Sequence, residues 1–223
     1  AGSLHAGGNF GSGMVGSSVP SSYPTGYDAF YCMKYEISQE QYVDFLNTLT
    51  RDQQNYRTTS DVSGDVITSA YEFVMSGTGI VSYRNGISCP LSGLGTEDPV
   101  PFHCNYDDAP PVNDAGDGQN IACNFIDWGD LAAYADWAGL RPMTEMEFEK
   151  ACRGPNNSVA NEYAWGNTTV HTSNYTLSSA GYPNEGITDI GENIGNIISG
   201  VNNGNITGPA RCGIFAASSD NHT

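Results

Sequence analysis

The chain has 223 residues, enough to bury a sizeable core, and a single domain is the simplest reading. Its 25 Asp and Glu outweigh 8 Lys and Arg, and the formal net charge of -17 excludes the basic face that nucleic acid or an anionic membrane needs, while it permits divalent cations. Only 15% of residues are charged and 39% are hydrophobic, so the surface is polar mainly through Ser, Thr, Asn and Gly; no run of about 18 apolar residues exists, and no membrane-crossing helix is expected.

Residues 1–26 are rich in Gly and Ser and read as an arm or linker; no leader is visible, and one is expected to have been removed already. Residues 27–223 read as the folded domain. Phe30–Glu36 is an expected strand. Ser38 with Gln41 three residues on forms a capping box, and Tyr42, Phe45, Leu46 and Leu49 line one face of the helix that follows. Residues 51–119 read as an insertion. Within it, Arg51 to Asp65 is polar and loop-like, Tyr71 to Met75 is a candidate strand, and Ile80 to Cys89 carries Asn85-Gly86, a type I′ hairpin turn signal.

The most acidic stretch is Asn105 to Gln119, where Asp107, Asp108, Asp114 and Asp117 crowd a glycine-bearing loop. Calcium takes oxygen ligands from such loops, which makes Asp107, Asp114 and Asp117 the candidate ligands. The spacing is not that of an EF-hand, and a plain solvated loop stands beside the calcium reading.

Asn120 to Pro155 reads as a short apolar strand followed by two capped helices. Asp127 caps the first, whose Trp128, Leu131, Ala132 and Ala135 fall near helical spacing, and Gly139 suits the left-handed residue that ends it. Thr144 with Glu147 caps the second, Phe148 and Ala151 give it an apolar side, and Gly154-Pro155 stops it. Glu145, Glu147 and Glu149 lie in its first turns, where the helix dipole favours negative charge. A long Asn/Gly/Ser/Thr loop then runs to Gly208, and Arg211 to Ala216 is a last strand-like run.

Six cysteines are present and none forms a C-x-x-C pair, which speaks against a zinc ribbon or a thioredoxin-type site. Cys89 and Cys104 flank a Pro/Gly-rich loop and are the expected disulfide, which would place the protein in an oxidising compartment; other pairings stay open. Sequons begin at Asn156, Asn167, Asn174, Asn205 and Asn221, the glycosylation candidates of a secreted chain. His5, His103, His171 and His222 show no metal-ligand spacing.

The run AYADWAGLRPMTEMEFEKACRG resembles the formylglycine-generating enzyme and sulfatase-modifying-factor family, with its Trp-x-Asp-Ala helix, its Trp-x-Gly-x-Arg and its Thr-Glu-x-Glu-aromatic-Glu helix. Trp128, Asp130, Ala132, Tyr134, Trp137, Gly139, Arg141, Thr144, Glu145, Glu147, Phe148, Glu149, Ala151, Arg153 and Gly154 match that pattern in order. Phe30 to Asn47 and Glu162 to Asn167 resemble the family's opening strand and helix and its Tyr-Pro-Trp-Gly-Asn. The family's Arg-Leu-Pro-Thr is spelled Arg141-Pro142-Met143-Thr144 here.

The resemblance implies an α+β, C-type-lectin-like fold of twisted antiparallel strands, two or three short helices and long loops. It also implies a structural calcium near Asn174, with the Tyr175 carbonyl as a second ligand. The family's oxidases place paired copper-binding cysteines in a C-terminal part that this sequence is expected to lack. Without that pair the first expectation is a non-catalytic, secreted or cell-surface module acting in binding or assembly, as an adhesive or filament-forming subunit. Its expected partners are copies of itself, another surface protein, or glycans. The alternatives are a copper-dependent oxidase of the formylglycine-generating type whose catalytic half lies elsewhere, and a calcium-dependent carbohydrate binder.

Overall fold

The computed structural model describes residues 20–154, 157, 159–163, 167–190, 202–203 and 206–216. The chain divides into two compact units, one of Ala1–Tyr31 with Met143–Gly166 and one of Cys32–Pro142 with Asn167–Thr223. The class is α+β: helices α1 (Gln39–Leu46), α2 (Arg51–Arg57), α3 (Trp128–Trp137) and α4 (Glu145–Arg153) accompany short strands. The strands pair as three antiparallel ladders, β1 (Ile87–Ser88) with β2 (His103–Cys104), β3 (Leu177–Ser178) with β4 (Gly186–Ile187), and β5 (Asn202–Asn203) with β6 (Ile206–Thr207). No described helix is long and apolar enough to cross a membrane.

The expected caps form. The Ser38 hydroxyl accepts from Gln41 N–H at 3.2 Å and Gln41 Oε1 accepts from Ser38 N–H at 3.0 Å. Asp127 and Asp130 make the same reciprocal pair at the start of α3, at 2.8 and 3.1 Å, and Thr144 with Glu147 repeats it at α4, at 3.2 and 3.0 Å. Each box satisfies two of the N–H groups that a helix start leaves orphaned. Gly139 and Gly154 both take positive φ, 71° and 67°, at the helix ends.

In the larger unit α1 buries Tyr42, Val43, Phe45 and Leu46 against Tyr134 of α3, against Ile87 and Cys104 of the β1–β2 ladder, and against Phe102 just before β2. Burial of each such side chain stabilises by about 1.5–3 kcal/mol. Tyr42, Phe45 and Tyr134 form an aromatic group with ring centroids 5.5 to 6.3 Å apart. Trp128, named as part of the helical stripe, is 68% exposed; the buried side of α3 is Asp130, Tyr134 and Ala135.

Residues 51–119 differ from expectation in detail. Arg51–Arg57 is a helix where a loop was expected, because Thr50 and Gln53 form one more capping box. Val62, Ile67, Val74, Met75, Leu94 and Val100 join the same core as α1, so the segment contributes to the packed interior. Tyr71 to Met75 buries its last three residues but forms only isolated bridges through Phe73. The hairpin turn falls two residues early. Ser82 bridges Asn85, and Tyr83 and Arg84 take φ of 47° and 62° as its central residues, so Asn85-Gly86 follows the turn. Gly86 is needed for another reason: a Cβ there would lie 2.6 Å from Tyr106 Cα.

The Arg51 guanidinium donates to the carbonyls of Val62 (2.5 Å), Gly64 (2.6 Å), Asp98 (2.8 Å), Gly95 (3.1 Å) and Leu94 (3.2 Å). The side chain is buried, and its charge is solvated by backbone dipoles instead of by a carboxylate.

The Phe30–Glu36 and Arg211–Ala216 strands do not form as regular strands; bridges Ser38 to Ala122 and Ile121 to Arg211 are what remains of that pairing. The Cys89–Cys104 bridge is also absent, since all six cysteines are free. The register pairs Ile87 with Cys104 and Ser88 with His103, so Cys89 continues opposite Phe102. That leaves the two cysteines diagonal, where Cα atoms stand about 7–8 Å apart, beyond the usual Cα separation of a disulfide.

The smaller unit is built on α4. Thr144 Oγ1 donates to Pro24 O at 2.8 Å, and Lys150 Nζ donates to Tyr27 O and Asp28 O at 3.2 and 2.9 Å while standing over the Phe30 ring. Gly26 lies against the α4 backbone, where an added Cβ would stand 3.1 Å from Glu147 Cα.

Candidate functional site

The acidic loop leaves β2 at Cys104 and is closed by Asn113, whose Oδ1 accepts from Cys104 N–H at 2.9 Å and whose N–H returns to Cys104 O at 3.0 Å. Asn113 takes φ 61°, which asparagine tolerates. Asp107 Oδ1 accepts from Ala109 N–H at 3.0 Å and Asp114 Oδ1 from Gly116 N–H at 2.7 Å, two local turns of the kind aspartate favours. Asp117 Oδ2 accepts from Asp114 N–H at 2.8 Å, and Gln119 Nε2 donates to Asp114 O at 2.5 Å.

These turns bring together the three carboxylates singled out in the sequence. Asp107, Asp114 and Asp117 each offer an oxygen within 4.8 Å of the other two. Asp107 is exposed, Asp114 half-buried and Asp117 fully buried. Asp117 Oδ1 has no hydrogen-bond donor, and neither do two further buried oxygens of the same loop, Asn105 Oδ1 and Gln119 Oε1. Burial pushes the Asp117 carboxyl up to about 6; the Asp114 N–H works against that shift and the neighbouring Asp107 carboxylate reinforces it. Among the described residues no ion pair reaches any of the three.

The loop packs on the turn between β3 and β4. Gly118 N–H donates to Gly181 O at 3.0 Å, and an added Cβ at Gly181 would stand 2.6 Å from Gly116 O. Behind that turn lies a site the sequence reading missed. Arg84 and Glu185 form a buried bidentate ion pair, with Arg84 Nη1 3.2 Å from Glu185 Oε1 and a second, shorter contact from Nη2 to Oε2. Arg84 also donates to Pro209 O at 2.6 Å and lies over the Tyr106 ring, while Glu185 accepts from Gly181 N–H and Arg211 N–H at 2.8 and 2.9 Å.

Asn174 is exposed and Tyr175 is buried, its ring stacked on His171 at 4.5 Å and packed on Phe215 at 5.5 Å. Asp189 Oδ1 is engaged by Thr176 N–H at 2.7 Å. Among the described residues Asp189 belongs to no converging group of three His, Cys, Asp or Glu side chains. Of the glycosylation candidates, Asn167 and Asn174 are exposed, and Asn156, Asn205 and Asn221 lie outside the residues described with side chains. Four of the cysteines have thiols raised by burial. Burial pushes the Cys89 and Cys104 thiols up to about 12 and Cys212 up to about 11, and it raises Cys123 further, with Cys104 and Cys212 adding to the shift.

An α+β unit with capped helices, short ladders and a carboxylate-bearing loop defines the class. The sulfatase-modifying factor enzyme 1-like domain model matches residues 3–195, and the chain belongs to that family. The formylglycine-generating enzymes of Bos taurus and Mus musculus are each 28% identical to it over 141 residues, 63% of this chain and 34% of theirs. The formylglycine-generating enzyme of Thermomonospora curvata is 40% identical over 57 residues, 26% of this chain and 18% of its own. The chain thus spans about a third of the length of the animal relatives it matches. No solved structure matches it significantly.

Proposed function

We propose that this chain is the scaffold part of a copper-dependent oxidase of the formylglycine-generating type, on a C-type-lectin-like framework that presents a substrate cysteine for oxidation. The observation that carries the reading is the family match over residues 3–195, within which α1, α3 and α4 fall on the segments of the resemblance. Among the described residues no converging set of three metal-ligating side chains contains a cysteine, and this reading assigns the copper pair to none of them. The part it assigns to this chain is positioning of the substrate cysteine.

The test is an oxidation assay on the whole gene product, loaded with copper and given oxygen and a cysteine-containing peptide. The expected product is the peptide aldehyde, detected by mass and by hydrazide capture. A peptide that keeps its thiol under those conditions overturns the reading.

The net charge of -17 and the Gly/Ser-rich residues 1–26 support a second reading, a non-catalytic secreted or cell-surface module for binding or assembly, adhesive or filament-forming in kind. Its partner would be another copy of the chain or a second surface protein, and glycans if it acts as a calcium-dependent carbohydrate binder. Glycan-array binding that survives chelation removes the calcium-dependent form. Light scattering that shows only monomers at high concentration removes self-assembly. Under either reading Asn174 and Tyr175 are the family-type calcium ligands, tested by calcium stoichiometry in Asn174→Ala.

A further inference from the structure

We propose that Asp107, Asp114 and Asp117 bind a calcium ion that clamps the 105–119 loop to the turn between β3 and β4. The site is separate from Asn174 and Tyr175 and is independent of any oxidase activity.

Three features carry the proposal. The carboxylates converge within 4.8 Å with no ion pair to balance them among the described residues. Asp117 is fully buried and its Oδ1 has no donor, although a buried polar oxygen left without a partner is costly. Gln119 Oε1 is likewise without a donor, while its amide nitrogen is tied to Asp114 O in the same turn. A cation among the three carboxylates supplies what the Asp117 oxygen lacks.

The donor set selects the ion. It holds carboxylate oxygens and no thiol or imidazole, which points to a hard cation. The carboxylates sit on an irregular loop whose exposed Asp107 side leaves space for water, which suits the flexible six- to eight-fold shell of calcium better than the near-ideal octahedron of magnesium.

The clamp follows from what the loop touches. Gly118 N–H reaches Gly181 O, and Gly181 N–H reaches Glu185, so fixing Asp117 fixes the floor of the Arg84–Glu185 pair.

The experiment uses the full chain stripped with a chelator and titrated with calcium chloride in a calorimeter, with the unfolding midpoint followed in parallel. Calcium is expected to raise the midpoint and to slow proteolysis within residues 105–119. Asp107→Asn keeps the acceptor for Ala109 N–H and is expected to fold as wild type by circular dichroism, yet to weaken calcium binding at least about tenfold by removing one ligand charge. Asp114→Asn is expected to do the same, and Asn174→Ala to leave this binding event in place. Isotherms of Asp107→Asn and Asp114→Asn that match wild type overturn the proposal, as does a midpoint that calcium does not move. A magnesium response as large as the calcium response overturns the choice of ion.

Discussion

Behind α1 the larger unit is held by apolar side chains, and behind the β3–β4 turn it is held by charge. Around Tyr42, Phe45, Leu46 and Ile87 the interior is aromatic and aliphatic, fully closed to solvent. Around Arg84 and Glu185 it is equally closed, yet the contacts are ionic and directed at backbone groups. The first kind of packing tolerates a change of shape better than the second tolerates the loss of one partner, because an abandoned charge has nowhere to go.

The largest expected effects test that contrast directly. Phe45→Ala is predicted to destabilise by about 3–5 kcal/mol through cavity formation, and Glu185→Ala by a similar amount, about 3–5 kcal/mol, through the stranded Arg84. Urea unfolding followed by tryptophan fluorescence measures both. The two should part company on double substitution. Arg84→Met with Glu185→Leu is expected to recover most of the loss, since replacing a buried pair by apolar groups of similar volume is often neutral. A double variant as unstable as the single one would show that the hydrogen bonds to Pro209, Gly181 and Arg211 matter more than the pair itself.

An intermediate effect is expected at the helix starts. Asp127→Ala removes one reciprocal capping pair and should cost about 1 kcal/mol, read from the same urea midpoint. The smallest effect concerns Glu72, whose carboxyl is raised by burial and by the Asp108 charge. A raised carboxyl contributes stability that is complete below its unfolded value and lost as pH rises through its folded value. Glu72→Gln should therefore raise the thermal midpoint slightly at neutral pH and leave it unchanged near pH ~4, where the wild-type group is already largely protonated.

The comparison also explains what could be read in advance. Capping boxes are local, with their partners three residues apart, and the starts of α1, α3 and α4 were all legible from Ser38, Asp127 and Thr144; the apolar faces read for α3 and α4 were not, since Trp128, Phe148 and Ala151 are exposed. The carboxylate loop was legible too, because Asp107, Asp114 and Asp117 lie within a short span. Arg84 and Glu185 are 101 residues apart, and nothing in either neighbourhood announces the other. The Thr50–Gln53 box was local and still overlooked, since the polar residues of α2 carry no apolar stripe. The expected strands failed for a related reason. Phe73, Val74 and Met75 are buried as a strand would be, but their burial comes from an irregular path with bridges at Phe73 alone.

Arg51 has a consequence for how sequences of this kind can vary. It holds Val62, Gly64, Leu94, Gly95 and Asp98 through their carbonyl oxygens, a group every residue type carries. For this contact the side chains at those positions can drift, provided the chain length between them keeps the carbonyls in reach. A lysine in place of Arg51 offers three donors where the guanidinium offers five, and could not gather both segments at once. Two strands of text that share no recognisable word could thus be fastened by one letter.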